Sequence, residues 1–317
     1  MRKAPKSMTI TPTAGVQRSL EQFRHLILHL QMECGSVQDI FNFFQEENSM
    51  AQFDTLMEMD PQLMTQLLAR EYVLEARRES TVDKARRHLE KALQLDPNCP
   101  EACLELAKLS VTPESAMMWY KRSMDATLEL LGPNMMHEML EKFKKNPWQQ
   151  VEIHTFIKAK ASLAEKLFQN GYFETAIGHF EELLELNPSD DLNIRQFLMV
   201  SYLQENRCEN AAQLFQRFRG DCAASWLFCK ALLQYKLEGN TRRSRRSLCR
   251  AFKRNLWVPV YLLGLKTMPA SKLPLKNNNW KVGSKEEAVD CVKCIAFAFC
   301  DDANAMTWMW EELKSLM

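Results

Sequence analysis

The sequence predicts an all-α protein, an array of antiparallel helix hairpins flanked by further helices at both ends. Three observations carry this reading. Glycine is scarce, at 9 of 317 residues, while Leu, Met, Ala, Glu, Lys and Gln are plentiful; these side chains lose little freedom in a helix. Apolar residues recur at three-and-four spacing and rarely alternate, which is the helical period. Finally, a pattern of small, bulky and turn residues returns at a repeat of roughly 34 residues.

The elements follow in order. Residues 1–14 read as a flexible tail. Through residue 20 the chain has Arg2, Lys3, Lys6 and Arg18 but no acid, a bias that also fits a targeting segment. Pro5, Pro12 and Gly15 oppose a long amphipathic helix there. Residues 15–60 read as N-terminal helices, one with Phe23, Leu26, Ile27 and Leu30 on a face, the next capped by Ser36 and burying Ile40, Phe43 and Phe44. Asp60-Pro61 then looks like the N-cap and first residue of a new helix.

From 61 to 264 the chain repeats itself. One hairpin, 66–101, places Tyr72, Val73, Ala76, Ala85, Leu89, Ala92 and Pro97 at the same offsets as Leu163, Ala164, Leu167, Ala176, Phe180, Leu183 and Pro188 of another, 157–190. Small residues such as Ala85 and Ala176 sit where two helices cross and must approach closely; bulky ones beside them fill the remaining space. Both copies end alike, Leu93-Gln-Leu-Asp-Pro97 and Leu184-Glu-Leu-Asn-Pro188, and a proline past the helix cannot continue it. Weaker copies carry Leu106, Ala107, Ala116 and Tyr120; Phe197, Ala211 and Phe215; and Trp226, Leu248 and Ala251. This makes about five hairpins, with an insertion near 132–150. Residues 265–317 supply a Pro- and Asn-rich loop and two capping helices. These are expected near 284–299, burying Val289, Val292, Ile295 and Phe299, and near 302–316, burying Met306, Met309 and Trp310.

The hairpins at 66–101 and 157–190 resemble tetratricopeptide repeats, which implies a right-handed superhelical array. A narrower likeness lies in Phe180–Pro188 with Asp190 and Arg195, and in Val258–Gly264 with Leu273-Pro274, Gly283 and Glu286–Val289. These residues are similar to soluble bacterial tetratricopeptide proteins related to the suppression-of-tumorigenicity family. Eukaryotic members of that family carry membrane spans, whereas no run here approaches ~18 apolar residues. The resemblance implies a non-catalytic interaction scaffold that holds a partner segment in the groove lined by first helices. In that frame Arg70, Arg77, Lys158, Arg195, Met199 and Tyr202 face the groove, and the recurring cations call for an acidic protein or peptide. A chaperone-tail clamp is rejected, because Leu74 stands where the clamp needs Asn.

The charge total excludes global steering, since 41 basic side chains meet 40 acidic ones. One local feature stands out. Arg242, Arg246, Arg250 and Arg254 recur every four residues, with Arg243 beside them, and form a basic stripe on one helix. The stripe reads as a solvated face, a surface for an acidic protein, or a nucleic-acid contact. The ten cysteines mostly lie inside apolar helical patterns and suit free thiols in the cytoplasm. Cys291-x-x-Cys294 with Cys300 lacks a second ligand pair, and His25, His29 and Glu33 at four-residue spacing lack a catalytic motif, so no metal and no cofactor is expected. With no Gly-rich phosphate loop and no nucleophile elbow, no enzymatic activity is expected either.

Overall fold

The computed structural model describes residues 61–145, 153–269 and 280–314. The tail, the N-terminal helices, His25, His29, Glu33 and Cys34 fall outside the described residues, as do Leu273-Pro274 and the end of the 132–150 insertion. Among the described residues there are fourteen α-helices and no strand. They are α1 (Pro61–Arg78), α2 (Val82–Leu95), α3 (Pro100–Lys108), α4 (Pro113–Leu131), α5 (Pro133–Lys145), α6 (His154–Gln169), α7 (Phe173–Leu186), α8 (Ile194–Gln204), α9 (Cys208–Arg217), α10 (Ala224–Glu238), α11 (Arg242–Arg254), α12 (Trp257–Leu262), α13 (Lys285–Cys300) and α14 (Ala303–Leu313). No described helix is long and apolar enough to cross a membrane. The described residues divide into two compact units, one up to Lys160 and one from Ala161, so the boundary falls within α6 and within the stretch 61–264.

The first unit pairs α1 with α2 and α3 with α4. Its core joins Ala69, Val73 and Ala76 of α1 to Ala85, Leu89 and Ala92 of α2 and to Ala102 and Leu106 of α3. Small residues predominate at these contacts because they let the helix axes close in. Asp96, before Pro97, ends α2 in an extended conformation while its N–H still bonds the Ala92 carbonyl. A residue before proline is pushed out of the helical region, so the stop is written into the dipeptide. The Ser123 hydroxyl, fully buried on α4, donates to the Pro100 carbonyl at 2.8 Å and ties the second hairpin together. Gly132 closes α4 at a φ of +72°, where an L side chain would be strained. The insertion forms α5, which buries Met136, Met139 and Phe143.

In the second unit Asn187, before Pro188, ends α7 as Asp96 ends α2, with its N–H on the Leu183 carbonyl. Phe168, at the end of α6, packs edge-on against Phe173 at 5.6 Å, Phe197 at 5.2 Å and Phe297 at 5.2 Å. Trp226 of α10 stacks on Phe215 of α9 at 5.3 Å.

Two expectations for the C-terminal end need correction. Helix α13 does not simply close the last hairpin; it lies against α8, α10 and α12 together, and its Phe297 reaches Phe168 and Phe173. Ala288, Val289, Cys291, Val292, Cys294, Ile295, Ala298 and Phe299 are all buried, a stripe wide enough to face several neighbours at once. On α14 the buried residues are Ala305, Trp308, Met309 and Leu313, whereas Trp310 is exposed and Met306 half-buried. Trp308 decides that register by stacking on Tyr235 at 4.4 Å. Helix α12 is an unforeseen element; its Pro259 is the third helical residue, where a missing N–H costs no intrahelical bond.

Candidate anion-binding face

The six groove residues are divided between the two units. Arg70 and Arg77 belong to α1 of the first unit, and both face carboxylates on α3: Arg70 Nε lies 3.4 Å from Glu101, and Arg77 Nε lies 2.8 Å from Glu105. Lys158 is exposed on the first-unit portion of α6. Arg195, Met199 and Tyr202 belong to α8 of the second unit. Arg195 is held between Asp190 at 2.7 Å and Asp221 at 2.9 Å. Met199 is fully buried, and Tyr202 is buried with its hydroxyl donating to Glu181 at 2.6 Å. The expectation that Met199 and Tyr202 offer apolar contact to a ligand is therefore corrected. Both are interior residues, and α13 of the same chain packs on α8 and α10, the first helices of their hairpins.

The basic stripe has the opposite character. Helix α11 starts at a reciprocal cap: the Thr241 hydroxyl accepts the Ser244 N–H at 3.2 Å and the Ser244 hydroxyl accepts the Thr241 N–H at 2.9 Å. Ser244, Leu248 and Ala251 face inward and are fully buried. The remaining positions must face out, and they carry Arg242, Arg243, Arg245, Arg246, Arg250 and Lys253, all exposed. The first turn contains no acid. Cations in a first turn oppose the helix dipole, so this arrangement works against the helix's own stability.

Pairing removes two members of the stripe. Arg254 is half-buried, bonds Glu287 at 2.8 Å and donates to the Cys222 carbonyl at 3.1 Å, so it braces the fold. Arg243 bonds Glu238 at 2.8 Å. Among the described residues, Arg242, Arg246, Arg250 and Lys253 have no ion-pair partner, and Arg245 makes only a long 3.4 Å contact to the Thr241 carbonyl. Arg242, Arg245, Arg246, Arg250 and Lys253 line an open concavity of about 780 Å³ together with Cys249. One carboxylate shares its rim, Glu312 of α14, and that group already accepts from Asn240 at 2.9 Å.

The positive field extends to α10. Lys230, whose ammonium lies 4.6 Å over the Phe215 ring, has its pKa lowered first by burial and then by Arg250 and Arg243. Arg245, which the stripe read from the sequence omits, belongs to this face because the helical turn brings it beside Arg242 and Arg246.

The cysteines lie elsewhere in character. Cys99, Cys103, Cys229, Cys291 and Cys294 are buried, and burial raises each thiol's pKa, to about 11 for Cys103 and about 12 for Cys294. Such thiols are packing residues with little thiolate to offer. Among the described residues no cluster of His, Cys, Asp or Glu has the arrangement of a metal site. Comparison with models of known protein families and with curated proteins returned no match.

Proposed function

We propose that this protein is a non-catalytic interaction scaffold of tetratricopeptide-like helix hairpins, and that it holds an acidic segment of a protein partner on the exposed face of α11. The observation that supports this most directly is the group of five cations lining one concavity, none of them ion-paired to a described residue. Guanidinium groups pair bidentately with carboxylates, so an Arg-rich face suits an Asp- and Glu-rich segment. The face is about 20 Å long at the helical rise, enough for several residues of an extended chain. The groove residues of α1 and α8 support this reading less, since their cations are already neutralised by the protein itself.

Nucleic acid is the second reading, favoured by the same unpaired arginines. Among the described residues no aromatic side chain lines the concavity, so these residues offer contacts to backbone phosphates and not the stacking that holds single-stranded bases.

A labelled Glu- and Asp-rich peptide, titrated by fluorescence anisotropy, separates these readings. It should bind with a steep salt dependence, and the double substitution Arg246→Glu with Arg250→Glu should weaken it by at least about tenfold. Lys158→Glu should leave it unchanged. Peptide affinity that ignores the double reversal would sink the proposal, and a DNA duplex bound more tightly than the peptide at equal ionic strength would install the second reading.

A further inference from the structure

A second opening in the second unit has a lining of mixed charge. It lies where the starts of α8 and α10 meet the middle of α13, and it encloses about 290 Å³. Its walls include Arg195, Phe197, Arg254, Trp280, Glu287 and Asp290. Most of the charge here is spent. Arg195 is clamped by Asp190 and Asp221. Glu287 accepts from Arg254, from Asn255 Nδ2 at 2.9 Å and from the Gly283 N–H at 2.6 Å.

Two groups are left over. The Asp290 carboxylate is half-buried and makes no hydrogen bond and no ion pair to a described residue. The Trp280 indole N–H is buried and has no acceptor. Buried polar atoms are nearly always satisfied, so the Trp280 N–H calls for an acceptor, and the half-buried Asp290 carboxylate in the same lining offers a place for a cation; together they describe the complement that would fill the cavity. Burial pushes the Asp290 carboxyl up to about 6, and Lys293 on the same helix offsets part of that.

We propose that this opening is a subsite for a primary ammonium group, which Asp290 receives while the Trp280 N–H takes an adjoining carbonyl. The size fits one long side chain, lying at the lower edge of the roughly 300–1,000 Å³ range of ligand pockets. A lysine residue of a protein partner presents both features, an ammonium and a peptide carbonyl; a free alkylamine presents the first alone. This subsite shares no residue with the face of α11 lined by Arg242–Lys253 and stands independently of the function proposed for it.

The test uses the full chain labelled with ¹⁵N at the tryptophan indoles, with the Trp280 resonance assigned through Trp280→Phe. Titration with N-acetyl-lysine methylamide should shift that resonance in a saturable way. The ε-acetylated probe, which has lost its charge, should not shift it, and Asp290→Asn should weaken binding by about tenfold or more. Butylammonium separates the sources: weaker binding than the lysine probe identifies a peptide residue, and equal binding identifies a small amine. Absence of a shift with both amines, or an equal shift by the ε-acetylated probe, would overturn the proposal even if Asp290→Asn failed to fold. So would undiminished binding by a folded Asp290→Asn. The double reversal on α11 should leave the titration unchanged, so failure here is distinguishable from failure there.

Discussion

The start of α8 and the outer face of α11 both present arginines, yet the two regions use them in opposite ways. At α8 the connecting turns bring acids to the cation. Asp190, fully buried at its side chain, accepts the Ile194 and Arg195 backbone N–H groups as well as the Arg195 guanidinium, and Asp221 arrives from the turn before α10. At α11 the end of the preceding helix delivers one acid, Glu238, and it goes to Arg243. The residue type and even the helical context are alike; the difference is whether neighbouring turns carry carboxylates. A cation becomes available to a ligand when the fold declines to use it, which makes the inventory of partners more informative than the count of charges.

Three substitutions would break or sharpen this contrast. Arg195→Met should have the largest effect, about 3 kcal/mol of lost stability in a denaturant titration, because it leaves the fully buried Asp190 carboxylate with two backbone N–H groups but no cation and unpairs Asp221 as well. A loss below about 1 kcal/mol would mean that the clamp is not structural. Arg254→Met should cost about 1 kcal/mol, since Glu287 keeps Asn255 and the Gly283 N–H as partners. An effect as large as that of Arg195 would erase the distinction between a fully buried carboxylate and one that keeps some contact with solvent. Arg246→Gln should change stability by no more than ~0.5 kcal/mol, and in the stabilising direction at low salt, by relieving repulsion along α11. A marked destabilisation there would show that the face has an internal role after all.

The contrast also marks what the sequence could reveal. Helices and their ends were legible because their causes are local: Asp96-Pro97 and Asn187-Pro188 stop α2 and α7 through a restriction on the residue before proline. The outward direction of the α11 cations was legible too, because Leu248 and Ala251 fix the inward face. What failed was long-range. Glu101, Glu105 and Asp221 lie between 26 and 31 residues from the arginines they meet — distances at which spacing carries no signal. The inner face of α8 and α10 could not be seen to be filled by α13, some ninety residues further along than α8, and so Met199 and Tyr202 read as open. Trp310 reads as buried in place of Trp308 because two tryptophans stand two residues apart on nearly opposite sides of α14, and the stacking partner Tyr235 that selects one is remote.

The clamp at Arg195 has a temporal consequence. Its contact with Asp190 spans 5 residues, but its contact with Asp221 spans 26 and closes only after α8 and α9 have met. An interaction completed late on the way to the native state adds little to the speed of assembly and much to the barrier against disassembly. Asp221→Asn should therefore speed the opening of this region more than it slows its formation, a contrast that stopped-flow unfolding and refolding rates would check.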